Sequence, residues 1–330
     1  MKIAVICYYD GAKSGLHLYQ ALKSAGHSGA YANKESGRDA YARAIADADA
    51  IITACDSLSF IKDDGFYIYD NNGREIFEDG SGHEVKPGAV MISMPVGAKY
   101  RRKNSGYHKA YEVWPLSEYR NSYDVILPVE PSMNYPEIND GWLPHAINTK
   151  AIHARAGGGE RFIVGAYMAN QDSKNVDRYL RPAIEQLQGE GLPVEYELSG
   201  TTYHVPHSTF MDNLCTYAMY YGQITPLGVY GRSEVEAMAL GIPVICGILD
   251  IAVKRAGDIS DYGAPCLKAY NAEDVARVIR DAMAGKIDLE KVGRASREYA
   301  VRVHSYEAVA KRADGIIKMA IQRKKNVSIR

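Results

Sequence analysis

The sequence predicts an α/β chain made of two successive halves, and three observations predict it. Short apolar, β-rich runs alternate with stretches whose apolar residues recur at helical spacing. Each half opens in the same order of strand, loop and helix. Between the halves, from Ser132 to Thr149, the alternation breaks at Pro136, Gly141 and Pro144, and the flexible run Gly157-Gly158-Gly159 follows.

The first half opens with Ile3 to Tyr8, a continuous run expected of a strand buried on both faces. A polar turn, Asp10 to Gly15, leads into a helix marked by Leu16, Tyr19 and Leu22 that stops at Gly26. Ala40 to Asp47 reads as a second helix. Ala50–Ala54 and Val90–Met94 read as further buried strands, and Val125–Pro128 as a further short one. In the second half, Arg161 to Gly165 is a strand, followed by a helix carrying Val176, Tyr179, Leu180, Ile184 and Leu187. Strands are expected at 194–198, 223–226 and 243–246, and helices at 233–240, 272–284 and from about 306 to 321. This pattern divides the chain into a Rossmann-like domain over 1–140, a crossing over 141–159, a second Rossmann-like domain over 160–305, and a C-terminal helix and tail over 306–330.

Composition excludes several classes. With 330 residues, 46% of them apolar and 24% charged, the chain has the balance of a globular protein, not a disordered or fibrous one. Its 39 basic and 40 acidic residues give a formal charge of −1, so the whole molecule is no polyanion-binding cation. Tyrosine is over-represented, 25 against 5 Phe, which suits semi-polar clefts. The 5 cysteines, at 7, 55, 215, 246 and 266, form no paired spacing, so a disulfide framework or structural zinc is not expected; most of them sit in apolar runs and read as buried apolar residues in a reducing cytoplasm. The apolar N-terminal run is too short for a signal peptide, and no stretch has the length of a membrane span.

The segment Gly228 to Ile245 carries the most chemistry. It is a glycine-containing loop, a short helix, a Gly241 stop and a Pro243-led strand. A helix N-terminus presents amides and partial positive charge, the setting for a diphosphate; Ser233 is the expected N-cap, and Glu236 can accept from a ribose diol. Glu234 and Glu236 lie about 200° apart around a helix, so only one of them faces a ligand. The same residues also fit a solvent-facing helix ending in a Gly-Pro turn.

The string EAMALGIPVI resembles the signature of retaining GT-B glycosyltransferases of the large "group 1" family, which reads Glu, seven residues, Glu-Ala-Met-Ala-x-Gly-x-Pro-Val-Ile. Glu236 matches the second Glu, which in the family holds the nucleotide ribose; the first falls on Gly228. Ser14-Gly15 with Gly26-His27 is similar to the family's N-terminal Gly-Gly pattern, whose amides approach the donor phosphate. Leu143-Pro144-His145-Ala146-Ile147-Asn148 resembles its crossing segment. Phe162–Gly165 with Lys174-Asn175 resembles Val-Gly-Arg…Lys-Gly, whose two cations clamp the diphosphate; Lys174 fits the Lys, Ala166 stands for the Arg, and Arg232 is the candidate replacement.

The resemblance implies two Rossmann-like domains facing a cleft, with the C-terminal helix returning to the N-terminal domain. It implies a nucleotide-diphosphate sugar as donor substrate, held by Ser14, Gly15, Lys174, Tyr203, His207, Tyr230, Gly231, Arg232, Ser233 and Glu236, with no further cofactor. Transfer of a hexosyl or pentosyl group with retention and without a metal is expected; Asp47-Ala48-Asp49 reads as a polar turn instead of a metal motif. Asp56, just past a strand end, is the candidate catalytic group, or else caps a turn. On the acceptor side Arg101, Arg102 and Tyr107 mix cations with aromatics, which suits DNA, an anionic glycan or a lipid head group, or an ordinary solvated loop. Arg323-Lys324-Lys325 reads as a solvated tail. Two other classes stay open: a silent nucleotide-sugar-binding module and a nucleotide-sugar epimerase.

Overall fold

The structure is a computed structural model that describes residues 1–7, 13–54, 58–62, 65–69, 85–94, 123–127, 140–154, 161–167, 174–200, 205–224, 230–248 and 263–328. The chain forms two compact units, Met1–Asn148 with Tyr306–Arg330, and Thr149–Ser305.

The first unit is built on a parallel sheet of β1 (Lys2–Ile6), β2 (Ser28–Ala32), β3 (Ala50–Ala54), β6 (Val90–Met94) and β7 (Val125–Ile126), in the order β2-β1-β3-β6-β7. Alternation along β1 explains its unbroken apolar run. Ile3 and Val5 pack on one side against Leu18 and Leu22 of α1 (Ser14–Ser24), whereas Ala4 and Ile6 pack on the other against Tyr41 and Ile45 of α2 (Arg38–Ile45). Between β3 and β6 the chain adds an antiparallel hairpin, β4 (Leu58–Lys62) and β5 (Gly65–Tyr69).

Two expectations change here. Strand β2 escapes the sequence reading because it lies at the sheet edge and carries Ser28 and Gly29; at Gly29 (φ +139°) a Cβ would stand 1.8 Å from the Ile3 carbonyl oxygen. The run 323–325 is no solvated tail. It lies inside the last helix, α8 (Tyr306–Ser328), where Lys324 donates to Asp124 at 2.9 Å and to the Ala89 carbonyl at 2.7 Å. Helix α8 lays Val309, Ala313 and Ile317 into the core shared with α1, and residues 141–148 bury Trp142, Leu143 and Ile147 in this same unit.

The second unit repeats the plan with β8 (Phe162–Tyr167), β9 (Val194–Ser199), β10 (Met219–Tyr221), β11 (Val244–Cys246) and β12 (Leu267–Lys268), all parallel in the order β12-β11-β10-β8-β9. A π turn at Val176–Leu180 runs into α3 (Arg181–Gly189), where Pro182 has no N–H to continue the ordinary ladder. The strand expected at 223–226 is instead the fully buried Met219–Tyr221, stopped at Gly222. Helices α4 (His207–Leu214) and α7 (Leu289–Tyr299) join the expected α5 (Arg232–Ala239) and α6 (Ala272–Met283). Because β8 leads to β9 on one side and β10 begins the other, the switch in strand order falls between β8 and β10; ligands of such sheets bind beyond the strand ends at that point. Lys174 follows β8 and α5 follows β10, so local topology delivers both to that edge.

Candidate functional site

Gly231, extended at φ −102°, caps α5, and Ser233 stands inside the first turn instead of at the cap expected for it. The displacement has a local cause: Glu234, at the third helical position, folds back so that its Oε2 accepts the Gly231 N–H at 3.0 Å and the Ser233 hydroxyl at 3.0 Å. Its Oε1 accepts from Lys174 Nζ at 2.8 Å. The ammonium also donates to the Tyr220 hydroxyl at 3.1 Å and to Ser233 Oγ at 2.9 Å. Glu234 is fully buried and Lys174 is 5% exposed. Burial opposes ionisation of both, but each outweighs it for the other: Glu234 titrates below and Lys174 above its ordinary value. Tyr220, buried beside them, is pushed up to about 12. Lys174, expected to clamp a diphosphate, therefore has its three N–H bonds committed inside the protein.

Glu236 lies on another side of the same helix. Its Oε1 accepts from Arg232 Nε at 2.9 Å and lies 2.9 Å from His207 Nε2 at the start of α4. Burial raises its proton affinity, yet the Arg232 charge and the His207 bond prevail and hold it below the ordinary carboxylate range. Arg232 Nη1 is buried without a hydrogen-bond partner, a donor that costs free energy until an acceptor arrives. Tyr167 at the end of β8 meets Phe210 of α4 edge to face, ring centroids 5.2 Å apart, and Phe210 lies 6.5 Å from the Tyr220 ring. An acidic acceptor, a half-committed guanidinium and first-turn amides thus gather at one helix end, a set suited to a hydroxyl-bearing anion.

Helix α5 is also held from behind. Arg297 of α7 donates to the Ala239 carbonyl at the C-terminal end, and to the Thr149 carbonyl at 2.8 Å. Tyr230, expected at the ligand, turns inward instead: its hydroxyl lies 2.6 Å from that of Tyr299 and 3.1 Å from His304 Nε2, and its ring is 2% exposed. The pull is a polar cluster supplied by α7 and the π turn at Ala300–His304, which local sequence does not reveal.

In the first unit, Ser14 and Gly15 begin α1, after Lys13 in the left-handed region at φ 54°. Ser14 Oγ is buried and has no hydrogen-bond partner. Asp49 accepts the Lys2 N–H at 2.9 Å and pairs with Lys86, so residues 47–49 form a turn that ties strand starts together. Among the described residues no group of three or more acidic, His or Cys side chains is arranged for a metal, and no helix is long and apolar enough to cross a membrane. Cys7 and Cys246 are buried as expected, but Cys215 is exposed. Asp56, Arg101, Arg102, Tyr107, Tyr203, Gly228 and Cys55 lie outside the described residues.

No protein-family profile matches the chain, and no curated protein does. Solved structures do match. An alpha-glucosyltransferase in complex with UDP and a 13-mer DNA containing a central A:G mismatch is 11% identical, with a TM-score of 0.60 over 96% of this chain and 100% of that one. Anabaena Alr3699/HepE in complex with UDP and glucose is 9% identical, with a TM-score of 0.54 over 96% and 99%. AviGT4, a glycosyltransferase involved in avilamycin A biosynthesis, is 14% identical, with a TM-score of 0.53 over 98% of both chains. The chain has their α/β fold of two Rossmann-like units, the GT-B architecture.

Proposed function

We propose that this chain is a glycosyltransferase that takes a hexosyl or pentosyl group from a nucleotide-diphosphate sugar, with the donor seated on the second unit at the start of α5. The observation that carries the reading is Glu236: a buried, ionised carboxylate, braced through one oxygen by Arg232 and His207, in the motif register where the resembling family grips the ribose. UDP is the first nucleotide to test, because both the Anabaena protein and the alpha-glucosyltransferase hold it.

The leaving diphosphate is bound by first-turn amides of α5 and by the open Nη1 of Arg232, with Gly231 and Ser233 shaping the turn and Tyr230 securing it from inside. His207 and Tyr203 border the base, and Ser14 and Gly15, at the α1 N-terminus of the first unit, have a phosphate-binding role; these roles rest on the resemblance. Retention, metal independence and Asp56 as the reacting carboxylate rest on the same resemblance and on position alone. So does the division into a donor-binding domain over 160–305 and an acceptor-binding domain over 1–140. For the acceptor, Arg101, Arg102 and Tyr107 suit a phosphate-bearing molecule, and the DNA held by the alpha-glucosyltransferase makes DNA the first candidate.

The test is release of nucleoside diphosphate from UDP-, GDP- and TDP-sugars, with and without duplex DNA, glycan and anionic lipid, with and without chelator. Release that rises with one acceptor and survives chelation supports the reading in full. Tight donor binding without turnover supports the silent module instead, and interconversion of the sugar without release supports the epimerase.

A further inference from the structure

The proposed family role of Lys174 conflicts with where its charge goes. Its ammonium is enclosed by Glu234 Oε1 at 2.8 Å, Ser233 Oγ at 2.9 Å and the Tyr220 hydroxyl at 3.1 Å. The space for Glu234 is built into the backbone: a Cβ on Gly222 would stand 2.6 Å from its Cγ, and one on Gly231 would stand 3.1 Å from its Oε2. The carboxylate also takes the Gly231 N–H, which would otherwise point out of the helix end.

We infer that Lys174 and Glu234 are a pair of positioning residues, an internal counter-ion couple that sets the first turn of α5 and cancels a negative charge behind the anion site, and that Arg232 is the cation that meets the ligand. Arg232 has what Lys174 lacks, a buried donor atom with no partner, and Glu236 orients it through Nε. Both members of the couple are ionised at neutral pH, so removing one exposes the charge of the other. This inference rests on the reading of the α5 N-terminus as a nucleotide-diphosphate site.

The experiment titrates UDP, GDP and TDP into the full-length protein by calorimetry at 10 °C, with thermal melts alongside. Lys174→Met leaves the Glu234 carboxylate uncompensated beside the anion, so affinity should fall by about tenfold or more. Lys174→Met with Glu234→Gln removes both charges while the amide oxygen still accepts the Gly231 N–H, so affinity should return to within about threefold of the parent. Arg232→Ala should lose binding in either background. A double variant as weak as Lys174→Met overturns the assignment, because the ammonium then serves the ligand itself. A single variant that lowers only the melting temperature overturns it too, since the couple then has no effect on the site. Should Lys174→Met fail to fold, the double variant alone decides. A parent protein that binds none of the three nucleotides defeats the functional reading, an outcome distinct from a parent that binds and a double variant that does not.

Discussion

One carboxylate oxygen joins two helices: Oε1 of Glu236, on α5, stands 2.9 Å from Nε2 of His207, the first residue of α4. The Glu236 side chain is 5% exposed and that of His207 is 49% exposed, so the contact runs from the interior to the solvent edge. Glu236→Ala leaves the Arg232 guanidinium buried without its partner. We expect a stability loss of about 3–5 kcal/mol, the cost of breaking a buried pair, together with loss of UDP binding. A denaturant melt and a UDP titration of the same sample check both.

His207→Ala separates site from stability. The imidazole is half exposed, and an exposed partner contributes roughly 1 kcal/mol or less. The melting temperature should hardly move, whereas UDP affinity should fall a few-fold as Glu236 and Arg232 lose their brace. An equal drop in stability and affinity would show that the ring serves packing alone.

Acid and alkali should act on different members of the network. Glu234 and Glu236 titrate below the ordinary 4.5, so their contribution is complete above pH 4.5 and is lost as pH falls through the lower folded values. Lys174 titrates above its ordinary 10.5, so its contribution is complete below pH 10.5 and is lost only as pH rises further. Melting temperature against pH should therefore show a shoulder below 4.5 that is absent from the Lys174→Met, Glu234→Gln, Glu236→Gln triple variant.

The back of α5 supplies a test remote from any ligand. A Cβ on Gly293 of α7 would stand 2.2 Å from the Gly241 carbonyl oxygen, a backbone atom in the turn that ends α5. Gly293→Ala must push α7 away and carry Arg297 with it, so we expect a loss of about 1–3 kcal/mol and weaker UDP binding. Unchanged stability would mean that the turn yields freely.

The strand–helix order of both units was legible because buried parallel strands read as continuous apolar runs, and the helix that carries Glu236 because its motif is local. The Lys174–Glu234 couple was not, since its members stand 60 positions apart and only the β8–β10 neighbourhood joins them. Tyr230 misled for a similar reason: it borders the helix cap in sequence, but Tyr299, 69 positions on, draws its hydroxyl inward. Helix α7 escaped notice because its buried positions are Gly293, Ser296 and Tyr299, too small or too polar to mark an apolar stripe.

The long final helix has a consequence for synthesis. The wall that α8 provides for the sheet of β1 and β3 is translated after the whole of the second unit. A nascent chain on the ribosome therefore carries an unfinished core around β1 and α1, with the slot for Val309, Ala313 and Ile317 open to water, until the codons of α8 are read. A premature stop after Ser305 would then damage the distant β1 and α1, and the cell's chaperones would meet those early-made elements as the part in need of shelter.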